Sequence, residues 1–380
     1  MTAAQSVMDA WGNARRVLCV RLDNIGDVLM TTPALRALRH ALPGRRLSLL
    51  TSRAAATLAP HLADVDEVIA HEASWVRNTA ADSVDADLAL IDTLRAGRFD
   101  AAVIFTVYSQ SPLPAALTCR LARIPLRLAH CRENPYHLLS DWVRETEPAA
   151  GVRHETQRQL DLVATIGARC SDTRLAFAVR PGNRQRCSAR LARLGIADGA
   201  PWILVHPGAT APSRRYPVEA FAEAVRGLWR RLRLPIVIGG DADEAGLVEE
   251  IRARAGVPAR TLAGGLTIGD YGAAIESAAV LVSNNTAPVH LAAALGTPVV
   301  DLYALTNLQH TPWQVPHRVL SHDVPCRNCY RSVCPEGHHL CLRGVAPQDV
   351  VDATAALLAE VGAMPAPAQP AATPDPEVVL

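Results

Sequence analysis

Apolar residues are spaced along the first half of the chain in a way that predicts short strands alternating with amphipathic helices. Residues 17–21 read as a buried strand, and a helical pattern follows over 27–42, with apolar positions every three or four residues. Pro33 lies inside that pattern, so this helix either kinks there or its first turn stands apart. Further strands are predicted at 46–51, 67–70, 101–106 and 126–129, and further helices near 85–96, 113–122 and 155–168.

The same alternation begins again after a stretch rich in Pro, Gly and Arg at 180–186, which reads as a linker or exposed loop. Strands are predicted at 202–206, 234–238, 260–262, 280–283 and 299–303, and helices at 218–232, 242–255, 268–278, 287–295 and 347–361. Such alternation produces parallel sheets that bind ligands at the carboxyl ends of their strands. The predicted fold class is α/β, with two Rossmann-like domains at 1–180 and 181–362 facing across a cleft, and a proline-rich, disordered tail at 363–380.

Composition narrows the functional classes. The length of 380 residues favours two domains, and 38 basic against 37 acidic residues give a net charge of +1, which argues against a general nucleic-acid binder. All the basic residues are arginines, so chemistry that needs a lysine is excluded, whether a Schiff base or a Walker-type phosphate site. No apolar stretch is long enough to span a membrane, and the first residues do not resemble a secretion signal. Nine cysteines, an odd number and mostly scattered, indicate a reducing cytoplasm.

The junction between the first predicted strand and helix reads RLDNIGD over 21–27. Gly26 lets the backbone pass close to a ligand, and Asp27 stands where the helix begins. Two interpretations of Asp27 stay open: a helix N-cap, or a general base that takes a proton from an attacking hydroxyl. A dinucleotide-binding turn needs three glycines and this junction has one, so neither pyrophosphate binding here nor an NAD-dependent dehydrogenase is expected.

Two segments of the second half are candidate anion sites. The first reads HPGAT at 206–210, with two arginines shortly after it, and an ordinary surface loop is its alternative. Its candidate residues are Gly208, Ala209, Thr210, Arg214 and Arg215. The second reads SNNTAPVH at 283–290, where Pro288 suits the first turn of a helix that Thr286 or Asn285 caps. Two such helix starts in one half suggest a nucleotide diphosphate, although His290 alone is equally compatible with simple packing.

These motifs resemble glycosyltransferase family 9, the heptosyltransferases of lipopolysaccharide core assembly. The resemblance is carried by RLDNIGDVLMTTPALRALR, by HPGAT followed by RRYP and IGG, by NNTAPVHLAAALGTPVVDLYALTNLQHTPW and by CPEGHHLCLR, in order over roughly 16–345. It implies a GT-B fold and transfer of heptose from ADP-heptose with inversion, with no metal and no other cofactor. It also implies a lipid-linked, anionic sugar acceptor, and therefore transient contact with the cytoplasmic face of the inner membrane of a Gram-negative bacterium.

Carried over by position, the resemblance assigns roles to single residues. Asp27 matches the family's general base, and Arg214 matches a cation, usually lysine, that contacts the donor diphosphate. Thr210 lies beside it. The positions that match the donor site are Thr286 and His290, together with Asn285 and Ala287, which stand where the family usually has Asp and Gly. Loss of that carboxylate changes how the donor is held, and the alanine methyl narrows backbone approach to the phosphates.

The acceptor side is less distinct in the sequence. Arg21, Arg53 and Arg132 lie near predicted strand ends of the first half, where an anionic sugar would dock; solvated arginines are the alternative. The cluster Cys326, Cys329, Cys334 and Cys341 has the density of a metal site but not a standard zinc spacing. A bound metal, a disulfide and reduced thiols that pack a loop all stay open for this cluster.

Three functions fit the sequence. The first is heptosyl transfer as the resemblance implies. The second is a GT-B transferase or an epimerase that uses a different nucleotide sugar, which the Asn285 departure keeps open. The third is a catalytically silent protein that binds a nucleotide sugar, and the presence of Asp27 and Arg214 speaks against it.

Overall fold

The computed structural model describes residues 3–76 and 83–363. The first half of this part contains the strands β1 (Arg16–Arg21), β2 (Arg46–Thr51), β3 (Glu67–Ala70), β4 (Ala101–Ile104), β5 (Leu126–Cys131) and β6 (Asp141–Arg144). Its helices are α1 (Ala3–Asn13), α2 (Ile25–His40), α3 (Arg53–Ala56), α4 (Val84–Ala96), α5 (Leu113–Leu121) and α6 (Glu155–Ala164), with a short 3₁₀ turn at Ala59–His61.

The second half repeats the arrangement. Its strands are β7 (Ile203–His206), β8 (Ile236–Ile238), β9 (Arg260–Thr261), β10 (Val280–Asn284), β11 (Val299–Leu302) and β12 (His317–Leu320). Its helices are α7 (Pro181–Arg193), α8 (Val218–Leu232), α9 (Ala245–Ala255), α10 (Ile268–Ser277), α11 (Ala287–Leu295), α12 (Leu340–Arg343) and α13 (Pro347–Glu360), with a 3₁₀ turn at Pro212–Arg214.

Both halves have the same sheet topology. The described strands form one sheet in the order β3-β2-β1-β4-β5-β6 and a second in the order β12-β11-β10-β7-β8-β9, with every pairing parallel. The order of each sheet reverses beside its first strand, which is the Rossmann arrangement, and ligands bind at that point of reversal. The predicted α/β fold with two Rossmann-like halves is confirmed. The division at residue 180 stays a prediction.

Helices join the two halves into one packed body. α2 packs against both α6 and α11, and α7 packs against α10. One apolar cluster runs through both halves and includes Leu35 of α2, Val163 of α6 and Val289 of α11. α2 is continuous through Pro33, so the predicted separate first turn does not occur, and the alternative of a kink stays a prediction. The start of α2 is therefore held against the second half, which brings Asp27 to the junction.

Several elements differ from the sequence prediction. The stretch 180–186 is not a linker: Pro181 begins α7, because proline suits a first helical turn and Cys187 and Leu191 supply a buried stripe. The edge strands β6 and β12 were not predicted, since all their residues are half-buried or exposed and no long apolar run marks them. α1 was not predicted either. The predicted disordered tail lies outside the described residues from 364 onward.

Candidate active site

Asp27 lies in the first turn of α2, at the junction of the two halves. Its Oδ2 accepts a hydrogen bond from the backbone N–H of Asn24 at 3.2 Å, so it closes a capping box, and its side chain is only 13% exposed. Burial alone would raise the pKa of Asp27, but the Arg21 guanidinium and the hydrogen bond from the Asn24 backbone N–H hold it below its usual value. Asp27 therefore is ionised at neutral pH and serves in the helix cap with one oxygen.

Gly26 explains how the two halves approach so closely. A Cβ atom built on Gly26 would lie 2.6 Å from Cδ2 of His290, whose ring belongs to α11 of the second half. Any side chain at this position would force the halves apart. Burial lowers the pKa of His290 to about 3, which leaves the imidazole neutral, and among the described residues its Nδ1 has no hydrogen-bond partner.

Arg21 lies beneath Asp27 and has no exposed surface. Its guanidinium forms ion pairs with Asp23 at 2.9 Å, Asp27 at 3.1 Å and Glu155 at 2.9 Å. With three internal ion pairs and no exposed surface, Arg21 presents no free surface to an acceptor in this structure, and its acceptor role stays a prediction. Its physical role is to fix the Asp27 carboxylate and to compensate three buried negative charges.

The predicted anion loops line a cavity between the two halves. Its volume is about 1050 Å³, and Ala209, Thr210, Thr286 and Ala287 form part of its wall. The loop after β7 brings the first pair to the cavity, and the start of α11 brings the second pair, at the point where the sheet order reverses. A cavity of this size accommodates a nucleotide sugar.

Gly208 lies against the side chain of Glu244. A Cβ atom on Gly208 would lie 1.7 Å from Oε1 of Glu244, so a larger residue here would displace that carboxylate. Glu244 lines the cavity and accepts a hydrogen bond from the backbone N–H of Asp241 at 3.0 Å. Burial raises the pKa of Glu244. The Glu244 carboxyl group is therefore the immediate neighbour of Gly208, whose predicted contact with an anion through its backbone stays a prediction.

The two arginines after this loop have different environments. Arg214 is half-buried and, within residues 3–76 and 83–363, its side chain makes no hydrogen bond or ion pair, although its charge acts on His290 and His310. Arg215 is exposed and its Nε donates to the backbone carbonyl of Ala209 at 2.8 Å. Arg214 therefore offers an uncompensated cation close to the reacting region, and Arg215 holds the loop in shape.

Asn285 is buried beneath the cavity rather than on its wall. Its Nδ2 donates to Oδ2 of Asp301 and to the carbonyl oxygen of His310, both at 2.9 Å. With both amide hydrogens used internally, Asn285 supports the loop that carries His310. The prediction that Asn285 contacts the donor directly stays a prediction. A carboxylate at 285 would have no hydrogen to donate and would face the Asp301 carboxyl group.

Asp301 makes the stability of the protein depend on pH. Burial raises the pKa of Asp301 to about 8 against the effect of Asn285, so the folded protein holds a proton that the unfolded chain releases near pH 4. Because this folded-state pKa is raised, the stabilisation is present at low pH and is lost as the pH rises towards 8. We expect Asp301→Asn to flatten the fall in melting temperature between pH 5 and 8, measured by calorimetry beside the wild type. An unchanged slope would contradict the protonation of Asp301.

Arg53 and Arg132, the other predicted acceptor residues, lie in different places. Arg53 is exposed at the start of α3, next to Ala54, which lines the large cavity. Arg132 lines a second cavity of about 160 Å³ and donates to the carbonyl oxygen of Glu147 at 2.7 Å. Gln110 of that cavity donates to Oδ1 of Asp23 at 2.7 Å, which links it to the Arg21 cluster. The acceptor roles of Arg53 and Arg132 stay predictions.

The four clustered cysteines are free and half-buried. Sγ of Cys326 lies 3.7 Å from Nε2 of His338. Burial raises the pKa of Cys341, and the neighbouring thiols of Cys334, Cys326 and Cys329 raise it further. Nowhere in the described ranges are three or more His, Cys, Asp or Glu side chains arranged to hold a metal ion. A bound metal and thiols that only pack this loop both stay predictions for the cluster.

Sequence reasoning missed part of the cavity wall. Asn183 and Arg186 of α7 line it, as do Asp241 and Tyr271. Nδ2 of Asn183 and the Arg186 guanidinium both donate to Asp270 of α10, which fixes this side of the wall. The polar residues after β8 were visible as a signal, because they follow the carboxyl end of a parallel strand. Within the described part of the chain, no helix has the length and apolar character needed to cross a bilayer.

Comparison with known proteins identifies the family. The model of glycosyltransferase family 9 (heptosyltransferase) matches residues 88–340. Lipopolysaccharide heptosyltransferase 3 of Escherichia coli K12 is 26% identical over 298 residues, which cover 76% of this chain and 82% of that protein.

Two solved structures have the same GT-B fold. The E. coli ADP-heptose LPS heptosyltransferase II superimposes with a TM-score of 0.71 at 23% identity, and covers 91% of this chain and 99% of its own. The E. coli heptosyltransferase WaaC with ADP-2-deoxy-2-fluoro heptose superimposes with a TM-score of 0.63 at 20% identity, with the same coverage. The family model spans well over half of the chain, and the chain therefore belongs to glycosyltransferase family 9, the heptosyltransferases.

Proposed function

We propose that this glycosyltransferase moves heptose from ADP-heptose, with inversion, onto an anionic, lipid-linked sugar of the lipopolysaccharide core. The observation that carries the proposal is that the buried, ionised Asp27 and the cation of Arg214 both act on His310 at the junction of the two halves, while Thr210 and Thr286 line the 1050 Å³ cavity there. The first group suits a base and the second a diphosphate ligand. The relatives that were solved with ADP-heptose analogues support a nucleotide sugar as the donor.

In the proposed mechanism Asp27 takes the proton of the acceptor hydroxyl as that oxygen attacks the anomeric carbon. The bond between the anomeric carbon and the phosphate oxygen breaks on the opposite face, which gives inversion. Arg214 and the backbone amides at Thr210 and at the start of α11 neutralise the departing ADP. Metal independence is part of the proposal, because these fixed groups supply the positive charge.

The acceptor is proposed to approach from the first half. Gln110 and Arg132 line the same cavity, and Gln110 donates a hydrogen bond to Asp23. Asp23 shares the Arg21 guanidinium with Asp27, so an anionic sugar in this cavity is proposed to present a hydroxyl to the base. Arg53 at the rim of the large cavity is a second proposed contact. A lipid-linked acceptor further implies a cytoplasmic protein that contacts the inner membrane transiently.

A donor panel tests the proposed function. The purified protein would be incubated with ADP-heptose, ADP-glucose, UDP-glucose, UDP-N-acetylglucosamine and GDP-mannose, with and without a heptose-deficient core acceptor, and products would be identified by mass spectrometry. We expect transfer from ADP-heptose alone, with the opposite anomeric configuration. Transfer from another nucleotide sugar, or epimerisation of one, would replace the proposed donor, and binding without turnover of any would indicate a silent protein.

Arg214 provides a prediction for donor affinity. We expect Arg214→Ala to weaken ADP binding by about 10- to 100-fold, since a hydrogen bond to a charged group contributes about 1.5–3 kcal/mol. Arg214→Lys should recover much of the loss because it restores the cation. Isothermal titration calorimetry with ADP measures this, and Arg252→Ala is the matched control, because Arg252 lies on α9, pairs with Glu249 and does not line the cavity. Equal losses in both alanine variants would remove the specific role of Arg214.

A further inference from the structure

A closed ring of hydrogen bonds surrounds His310, which follows β11 in the second half. The backbone N–H of His310 donates to the Tyr303 hydroxyl at 3.3 Å, and that hydroxyl donates to Oδ1 of Asn307 at 2.7 Å. Nδ2 of Asn307 in turn faces Nδ1 of His310 at 3.3 Å. Nδ2 of Asn285 also donates to the backbone carbonyl oxygen of His310. Both the backbone and the ring of His310 are therefore fixed by buried polar groups.

This ring determines the tautomer of His310. The Tyr303 proton points to Oδ1 of Asn307, because turning the amide round would leave that proton without an acceptor in the described part of the chain. Nδ2 of Asn307 therefore donates to Nδ1 of His310, which must be unprotonated, and the ring proton lies on Nε2. Burial also lowers the pKa of His310, so the ring is neutral at neutral pH.

The proton on Nε2 has no acceptor among residues 3–76 and 83–363, and the atom is shielded from solvent. An unsatisfied buried donor costs about 1–3 kcal/mol, and such groups in a folded protein call for a reason. Three side chains, those of Tyr303, Asn307 and Asn285, hold His310 so that this donor keeps one direction and has no partner. A ligand that reaches the junction gains a hydrogen bond without any cost of reorientation.

The position of His310 indicates which ligand atom it meets. Its ring lies edge-on to His290, with 6.5 Å between the ring centroids, and the charges of Asp27 and Arg214 both act on it. The preceding residue, Gln309, accepts the backbone N–H of Glu155 at 2.9 Å, which holds this loop against the Arg21 cluster. His310 thus lies at the junction of the two halves, beside His290 and within electrostatic reach of both the proposed base and the proposed diphosphate cation.

We propose that His310 is an additional catalytic residue whose Nε2–H donates a hydrogen bond to the oxygen that joins the sugar to the phosphate. The inference rests on the proposed glycosyl transfer. As the bond breaks, its electron pair goes to that oxygen, and the fixed N–H stabilises the growing charge while its proton stays on the ring. Because Nε2 is shielded, the proposal requires donor binding to open the packing around this atom. The Asn285 amide supports the arrangement, because its Nδ2 donates to the carbonyl oxygen of His310.

Substitution of His310 tests whether its Nε2–H acts as a hydrogen-bond donor in catalysis. His310→Leu should lower kcat by about 10²-fold, the usual effect of removing one such donor, and change the dissociation constant for ADP-heptose much less. His310→Gln should recover most of kcat, because its amide N–H lies near the position of Nε2–H, whereas Asn matches Nδ1 and should not. His40→Leu, exposed at the end of α2, is the control. Leu and Gln variants with equal kcat would overturn the proposal.

A second measurement does not depend on whether a variant folds. In protein labelled with ¹⁵N-histidine, the two-bond nitrogen–proton spectrum of the wild type, assigned through His310→Gln, should show the Nε2–H tautomer. A Nδ1–H tautomer would overturn the proposal. If the wild type transfers no sugar from any donor, the proposed function fails whatever the spectrum shows. If the wild type transfers sugar and His310→Leu does so at the same rate, the inference alone fails.

Discussion

Replacing Asp27 by Asn is expected to lower kcat by about 10²–10⁴-fold, the contribution that a positioned general base makes. The amide keeps the size of the side chain and an oxygen for the Asn24 amide, but it cannot take a proton at neutral pH. Asp27 lies across the junction from the anion loops, so the dissociation constant for ADP should change by less than about threefold. Steady-state kinetics with calorimetric titration of ADP separates the two effects.

Asp23 provides the matched control for this prediction. It shares Arg21 with Asp27, and burial together with the charge of Asp27 raises its pKa to about 6 against Arg21. On pKa alone Asp23 is the better base, but its carboxylate accepts the Gln110 amide on the acceptor side. We expect Asp23→Asn to cost less than about tenfold. A larger loss than in Asp27→Asn, or an acid limb near pH 6 that disappears in Asp23→Asn, would transfer the role of base to Asp23.

The sequence pattern was sufficient for the architecture because parallel strands buried on both faces leave a strong signal. The strands β1, β7 and β10 are almost entirely buried, and each was predicted near its observed bounds. Whereas the edge strands β3 and β9 were predicted, the edge strands β6 and β12 and the helix α7 were missed for a common reason. Their apolar positions are few and become meaningful only against a partner, as the packing of α7 on α10 shows.

In the site, too, features set by topology were predicted and features that depend on packing partners were not. Residues placed by the strand-end rule, such as Thr210 and Thr286, do line the cavity, since that rule depends only on topology. The surroundings of Arg21 and Asn285 were not predicted, because sequence shows which group a side chain carries but not which other groups it already contacts. Arg21 is taken by three carboxylates, and Asn285 by Asp301 and a carbonyl. His310 and Glu244 drew no attention for the converse reason, since their environments come from segments far apart in the chain.

Arg21→Met is expected to lower the free energy of unfolding by about 3–5 kcal/mol, because removing one partner of a buried ion pair leaves uncompensated charge. Here the charges are those of Asp23, Asp27 and Glu155, and Glu155 has no exposed surface. Without the cation the folded-state pKa values of these carboxyl groups rise, so the variant should regain stability as the pH falls and lose it as the pH rises. Urea unfolding at pH 5 and pH 8 measures both effects.

Two further variants decide how the Arg21 cluster works. Arg21→Met combined with Glu155→Gln should recover part of the lost stability, since the most deeply buried negative charge is then removed. Arg95→Met, which breaks an exposed ion pair with Asp92, should cost less than about 1 kcal/mol. If Arg21→Met were as stable as Arg95→Met, the guanidinium would not be compensating these carboxylates. It would then be free to bind an acceptor, as predicted from the sequence.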